Sequence, residues 1–171
     1  MDVGVTVIEV ARGVWFILPA YIANLSACLF GGGTPLDFGK KLSDGRRLLG
    51  DGVTVRGFCV GVLAGALTGL AEGIASGNPS RWLEGAVLGF GAMAGDAAGS
   101  FIKRRLGLER GAPAPVLDQL DFFAGALLAY YLVYGQALTA KMIAVLAGLT
   151  LFLHWLTNAL GYLLKLKEVP W

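Results

Sequence analysis

Five apolar runs, separated by two polar loops and two short breaks, organise the chain. The runs cover about residues 3–30, 57–75, 82–102, 120–138 and 140–164. Several approach or exceed the ~20 apolar residues that a helix needs to cross a bilayer. Charged residues concentrate in the loops 31–56 and 103–118. The pattern predicts an all-α polytopic membrane protein, in which residues 1–171 form a single domain of five transmembrane helices.

Composition excludes an ordinary soluble domain. The chain has 171 residues, of which 56% are hydrophobic and 26 are glycine, and its mean hydropathy is +0.66. A soluble domain of this length would contain a smaller apolar fraction. We therefore expect a multi-pass protein of the cell membrane.

The distribution of cations predicts the orientation. With five spans, the loops 31–56 and 103–118 and the carboxyl-terminal tail share one side, and eleven of the fourteen Lys and Arg fall there. These are Lys40, Lys41, Arg46, Arg47, Arg56, Lys103, Arg104, Arg105, Arg110, Lys165 and Lys167, against Arg12, Arg81 and Lys141 on the other side. Because cytoplasmic loops carry the excess of Lys and Arg, we predict an external amino terminus, a cytoplasmic carboxyl terminus and a cytoplasmic active site.

Three aspartates flank the second polar loop at the ends of two predicted helices. Helical spacing places Asp96, Ser100, Lys103 and Arg104 on one face, and Asp118 and Asp121 on another. Helices joined by so short a loop have neighbouring ends, so the carboxylates and cations should meet at the membrane boundary. Mg²⁺ prefers a few carboxylates together with phosphate oxygens. The sequence predicts a magnesium-phosphate site with Asp96, Asp118 and Asp121 as metal ligands.

A structural role is the alternative for each aspartate. Asp96 would lie about 9 Å inside its helix, where a carboxylate is costly unless it is paired. An ion pair with Arg46, Arg56 or Lys103 would neutralise this carboxylate as well as a metal ion would. Acids also favour helix amino termini, which accounts for Asp118 and Asp121 taken alone.

The first polar loop alternates glycine, aspartate and cations in a way that suits an anionic ligand. The residues concerned are Asp37, Asp44, Gly45, Arg46, Arg47, Gly50, Asp51, Thr54, Arg56 and Gly57. Glycines let a backbone wrap phosphates, and Arg binds their oxygens bidentately. An ordinary cytoplasmic loop would explain the cations but not the interleaved aspartates and glycines.

Glycine recurs at every fourth position of the second run, from Gly57 through Gly61, Gly65 and Gly69 to Gly73. Such a stripe favours close approach of another helix. A smooth groove for a lipid chain is the alternative interpretation.

Two motifs carry a family resemblance over nearly the whole chain. The run Asp96-x3-Ser100-x2-Lys103-Arg104, followed by Leu117-Asp118-Gln119-Leu120-Asp121, resembles the carboxyl-terminal signature of CDP-diacylglycerol synthases. The first loop, PLDFGKKLSDGRRLLGDGVTVRG, resembles the corresponding motif of their archaeal relatives, the CDP-archaeol synthase family.

The resemblance implies a CTP-dependent, Mg²⁺-dependent cytidylyltransferase that acts on an unsaturated archaeal ether-lipid phosphate within the membrane. It implies Asp96, Asp118, Asp121 and Lys103 as catalytic residues, the three aspartates holding Mg²⁺. Phosphate clamping is expected from Lys103, Arg104, Arg46 and Arg47, and nucleotide binding from Asp44, Gly45, Thr54, Arg56 and Ser100. CTP and the lipid phosphate are the expected partners, and no nucleic acid is expected.

Three other classes compete with this interpretation. A CDP-diacylglycerol synthase would use phosphatidate instead. A CDP-alcohol phosphotransferase would need two further aspartates four residues apart, whereas Asp118 and Asp121 are three apart. A transporter or channel subunit would place ionisable groups near mid-membrane, whereas most charges here cluster at one face.

Overall fold

Five helices account for most of the computed structural model, which describes residues 6–109, 111–163 and 165. They are α1 (Val7–Phe30), α2 (Val55–Ser76), α3 (Arg81–Arg105), α4 (Leu117–Tyr134) and α5 (Ala140–Leu163). The prediction of an all-helical chain with five helices is therefore confirmed. Residues 3–5 and 164 of the predicted spans, and Arg110 and Lys167 of the charge pattern, lie outside the described residues.

Four of the helices are long and apolar enough to cross a membrane. They are α1, α2, α3 and the Ala140–Leu160 part of α5. Large apolar side chains such as Leu63, Leu67, Phe152 and Trp155 are exposed on their outer faces, as expected of surfaces that lipid covers. The remaining helix, α4, has 18 residues and carries Asp118 in its first turn.

Local sequence accounts for the helix ends. Thr6 and Glu9 form a capping box at the start of α1. The Thr54 side chain caps α2 by accepting a hydrogen bond from the Gly57 amide. Gly135 adopts a left-handed backbone with φ of 65° and ends α4, so α4 stops before the predicted residue 138.

The third helix continues beyond its predicted end at 102. Lys103, Arg104 and Arg105 form its last turn, where cations interact favourably with the helix dipole. The fourth begins at Leu117, before the predicted residue 120, so Asp118 belongs to its first turn. The loop between α3 and α4 is consequently shorter than predicted.

Helix α3 is the centre of the bundle, with glycines on two of its faces. Gly85 and Gly89 lie against Gly65 and Gly69 of α2. A Cβ on Gly65 would lie 2.7 Å from the Gly85 carbonyl oxygen. The helix-packing interpretation of the glycine stripe in α2 is thus confirmed.

The second glycine face of α3 receives α4. Gly91 and Gly95 approach the backbone of α4 around Gly125, and Gly99 lies against the side chain of Asp121. Close backbone approach is the usual consequence of small residues at helix contacts in membrane proteins. It brings the acidic first turns of α4 to the basic end of α3.

Helix α5 packs at the edge of the bundle. Leu146 and Thr150 are its fully buried residues, and the hydroxyls of Thr150 and Tyr21 of α1 are hydrogen-bonded at 2.7 Å. Helix α5 therefore adds mainly apolar surface to the bundle that the other four helices form.

Candidate functional site

A cavity of about 350 Å³ opens where α1, α2, α3 and the loop 31–54 meet. Five residues of α3 line it: Met93, Asp96, Ser100, Lys103 and Arg104. Asn24, Ala27 and Cys28 of α1, Phe58 of α2, Gly111 and the loop segment 49–54 supply other walls. The cavity is the place where acidic, basic and glycine-rich segments converge.

The spacing of polar residues on α3 produces one functional face. Asp96, Ser100, Lys103 and Arg104 lie three or four residues apart and line the same cavity, as helical periodicity predicts. The Asp96 carboxylate accepts no hydrogen bond from a described residue. The cavity therefore offers a carboxylate with no hydrogen-bond donor among the described residues, in a space that Lys103 and Arg104 also line.

Lys103 joins this face to α4. Its Nζ donates a hydrogen bond to Asp118 Oδ1 at 2.7 Å, and the Ala114 amide donates to Asp118 Oδ2 at 2.9 Å. The predicted phosphate ligand Lys103 and the predicted metal ligand Asp118 therefore form an ion pair in this structure. Each group would have to give up this contact before it could bind a substrate or a metal.

Asp121 lies one turn further along α4, beside α3. Its side chain contacts Gly99, and its Oδ1 accepts a hydrogen bond of 2.6 Å from the Phe122 amide. Asp96, Asp118 and Asp121 are near enough to repel one another electrostatically. Within the described part of the chain, however, no three acidic, His or Cys side chains have the arrangement of a metal cluster. The three-aspartate metal site stays a prediction.

Asp37 is the centre of the first polar loop. Its carboxylate is buried and accepts hydrogen bonds from the amides of Leu49, Gly50 and Gly39 at 2.9–3.0 Å. Arg47 donates two more, at 2.6 and 3.3 Å. Because the Arg47 guanidinium and these amides favour the ionised form, the pKa of Asp37 lies well below its ordinary value.

This buried carboxylate shapes the cavity wall. Gly50 and its neighbours 49–54 line the cavity, and Asp37 holds two of their amides. The sequence places Asp37 in the loop pattern that suits an anionic ligand and in the PLDFG segment of the resemblance, but it assigns the residue no role of its own. Its burial, which singles it out, depends on the folded loop.

The predicted phosphate ligands of loop one mostly bind protein groups in this structure. Arg47 pairs with Asp37 and, at 2.8 Å, with Asp51, which raises the pKa of its guanidinium. Arg46 donates to the Arg105 carbonyl at 2.6 Å, capping the end of α3. Arg56 donates to the Gly31 carbonyl. None of these arginines is among the cavity-lining residues, and their contact with phosphate remains a prediction.

Asp44 and Gly45 form a turn that fastens loop one to α3. Asp44 accepts a hydrogen bond from the Arg46 amide at 3.0 Å and pairs with Arg105 at 2.6 Å. The Arg46 amide and the Arg105 guanidinium lower the pKa of the Asp44 carboxyl. Gly45 has φ of 75°, which a glycine tolerates without strain. Neither residue lines the cavity.

Arg105 is a further residue that sequence reasoning left without a site role. Besides its pair with Asp44, its guanidinium donates to the Arg47 carbonyl and lies 5.3 Å from the Phe101 ring centre. Its local sequence does not distinguish Arg105 from its neighbour Arg104. Only the fold shows that Arg104 faces the cavity and Arg105 faces loop one.

Thr54 connects the loop to α2 at the cavity wall. Its hydroxyl accepts hydrogen bonds from the amides of Gly32 and Gly57, both at 3.1 Å, and its side chain is buried. Of the predicted nucleotide-binding residues, Thr54, Ser100 and Arg104 line the cavity. Thr54 contributes there mainly by fixing the backbone around it.

Comparison with known proteins agrees with this architecture. Residues 6–171 match the model of a family described as CarS-like CDP-archaeol synthase. A CDP-archaeol synthase of Methanopyrus kandleri is 74% identical over 164 residues, covering 96% of this chain and 95% of the relative. One from Methanocaldococcus jannaschii is 50% identical, covering 92% of this chain and 94% of the relative.

A solved structure has the same fold. It is described as an intramembrane enzyme for archaeal membrane lipid biosynthesis, is 44% identical to this chain and superposes with a TM-score of 0.82. The match covers 90% of this chain and 94% of that one. The other classes considered from sequence, including a phosphotransferase and a transporter, are not favoured. The chain belongs to the CDP-archaeol synthase family.

Proposed function

We propose that this protein is a cytidylyltransferase that transfers CMP from CTP to an unsaturated archaeal ether-lipid phosphate, forming CDP-archaeol and pyrophosphate. The observation that carries the proposal is one cavity that combines Asp96 with Lys103 and Arg104, in a chain whose family match runs over residues 6–171. An oxygen of the lipid phosphate attacks the α-phosphorus of CTP. The bond from that phosphorus to the bridging oxygen breaks, and pyrophosphate leaves with the electron pair.

The reaction needs charge neutralisation more than a general base. The lipid phosphate is already an anion at neutral pH, so no proton has to be removed from the nucleophile. Two polyanions must nevertheless approach each other, and preorganised cations lower the cost of that approach. Arg104 and Lys103 are placed on one face of α3 to do this. Lys103 would exchange its contact with Asp118 for a phosphate oxygen.

We propose Mg²⁺ as the cofactor. The donor set fits a hard cation, because Asp96 presents carboxylate oxygens and Ser100 a hydroxyl in the same cavity. Asp96 is the best candidate ligand, since no described residue donates a hydrogen bond to it. Asp121 would join directly or through water, and Asp118 once Lys103 is released. Bound Mg²⁺ would supply charge stabilisation for the leaving pyrophosphate.

The first polar loop would enclose the nucleotide. Asp37 and Arg47 hold its backbone, and Asp44, Arg46 and Arg105 tie it to the end of α3. The backbone of residues 49–54 is then already held at the cavity wall, so little of it would have to reorganise when the nucleotide binds. In this arrangement Arg47 supports the site and Arg104 contacts the phosphates.

The active site is proposed to face the cytoplasm, where CTP is available. The cavity lies at the end of the bundle that carries the cation-rich loops, which the positive-inside rule assigns to the cytoplasm. The lipid phosphate would reach the same end from the surrounding membrane. All five helices are proposed to span, α4 by packing its polar first turn against α3.

Turnover by purified protein tests the proposal. CTP and digeranylgeranylglycerol phosphate should yield a CDP-lipid and pyrophosphate in equal amounts, and a chelator should stop both. Diacyl phosphatidate serves as the matched lipid. Equal or faster use of phosphatidate would reassign the substrate to the general CDP-diacylglycerol class, and absence of pyrophosphate release would reject the transferase.

A further inference from the structure

Asn24 is a polar residue in the apolar helix α1, and the proposed reaction assigns it no role. It lies on α1, is partly buried and lines the cavity together with Ala27 and Cys28. Its amide makes no hydrogen bond with a described residue. The side chain borders the cavity, so a ligand there can form hydrogen bonds with the amide in place of solvent.

The position of Asn24 distinguishes two ends of the cavity. Asn24 lies six residues before the end of α1 at Phe30, or about 9 Å along the axis. Met93 of α3 lies about 16 Å from Arg104 along the axis of that helix. Lys103 and Arg104 therefore form a cationic end near the loops. Asp96 lies between this end and a neutral end, which is lined by Asn24, Met93 and Phe58.

We infer that Asn24 binds the pyrimidine base of the nucleotide, an inference that rests on the proposed function. A triphosphate is drawn to the cationic end, which leaves the base for the neutral end. The base edge carries hydrogen-bond donors and acceptors side by side, and a carboxamide offers one group of each kind. Phe58 and Met93 supply apolar walls against which a flat ring can lie.

The competing ligand for Asn24 is the phosphate group of the lipid. That group is dianionic and would be held best by cations, whereas the residues of α1 that line the cavity beside Asn24 are Ala27 and Cys28. A carboxamide can donate to a phosphate oxygen, but its carbonyl oxygen would then remain unsatisfied. The base satisfies both ends of the amide.

Ligand binding to full-length Asn24→Ala in detergent tests the inference. Binding constants are taken from the rise of melting temperature with CTP, 2′-deoxy-CTP and inorganic tripolyphosphate. We expect both nucleotides to bind about tenfold more weakly, since one or two neutral hydrogen bonds are lost. Tripolyphosphate, which has no base, should bind as it does to the wild type. Asn78→Ala, in the turn after α2 at the opposite end of the bundle, is the matched control.

Each other outcome is informative. Equal weakening of tripolyphosphate, or unchanged CTP binding, would overturn the role of Asn24 in base recognition. A raised KM for the lipid phosphate with an unchanged KM for CTP would show that Asn24 binds the lipid, and it would also overturn the role in base recognition. Asn24→Leu, apolar and close in size, provides the same measurements if Asn24→Ala yields too little folded protein. Wild-type protein that binds CTP no better than tripolyphosphate would instead contradict the proposed function.

Discussion

The Asp121 carboxylate occupies the space that a Cβ atom on Gly99 would fill. A glycine on α3 thus admits an acidic side chain of α4 to the interface between the two helices. Asp96 is one turn from Gly99 on the same helix, and Lys103 is one turn beyond it. The glycine face of α3 therefore does more than allow packing, because it brings the acid of one helix to the functional face of the other.

Asp121→Asn should leave the fold intact and remove most of the activity. The side chain keeps its shape in the Gly99 cleft but loses its charge. Loss of metal-linked charge stabilisation is expected to raise the barrier by about 4 kcal/mol, which is roughly a thousandfold in kcat. The measurement is kcat and melting temperature together, with and without Mg²⁺.

Glu84→Gln is the matched control for Asp121→Asn. Glu84 lies at the other end of α3, paired with Arg81, and its loss should leave kcat unchanged. Near-normal turnover of well-folded Asp121→Asn protein would show that the aspartate is structural, and the metal assignment would fail.

Gly65→Ala should destabilise the bundle. The added Cβ would lie 2.7 Å from the Gly85 carbonyl oxygen and 2.8 Å from the Gly89 Cα, which are backbone atoms that cannot rotate away. Such overpacking typically costs about 1–3 kcal/mol, and thermal unfolding in detergent measures it. Gly148→Ala in α5 is the control, because its Cβ would meet nothing within 4 Å. A melting temperature equal to that of the control would contradict the close α2–α3 contact.

Acidification should loosen the first polar loop through Asp37. Its pKa is lowered in the folded protein, so its contribution to stability is complete above the unfolded pKa of about 4 and is lost as the pH falls further. Above that pH, Asp37→Asn should cost about 2 kcal/mol, since charge-assisted hydrogen bonds from Arg47 and three amides are weakened. Amide hydrogen exchange of residues 37–51 measures the loop directly.

The difference in loop protection between wild type and Asp37→Asn should therefore shrink as the pH falls below about 4. Asp51→Asn is a suitable comparison, because Asp51 is exposed and binds Arg47 alone. It should have a much smaller effect. A pH-independent difference between wild type and Asp37→Asn would show that the carboxylate charge does not hold the loop.

The proposed orientation predicts which cysteines an impermeant reagent reaches. In a background with Cys28 and Cys59 replaced by Ala, Ser43→Cys in loop one should be labelled only after cells are opened. Asn78→Cys, in the turn between α2 and α3, should be labelled in intact cells. Both positions are exposed, so accessibility reports sidedness. The reverse pattern would place the cavity outside.

The sequence by itself determined the features that depend on near neighbours. Hydropathy along the chain specified five helices, because each apolar run must satisfy its own backbone hydrogen bonds in lipid. Fourfold glycine spacing favoured a packing face on α2, which the contacts with α3 confirm. The three- and four-residue spacing of Asp96, Ser100 and Lys103 specified a shared face, since helical periodicity is local.

The tertiary structure decided which charge meets which partner. Arg47 resembles Arg104 as a loop cation, yet it pairs with Asp37, whereas Arg104 lines the cavity. Arg46 caps a helix end 58 and 59 residues away, and Asn24 reaches the cavity from a helix with no other sign of function. Such contacts depend on how distant segments pass one another, and a cation has the same local sequence signature whether it binds a phosphate, a carboxylate or a carbonyl.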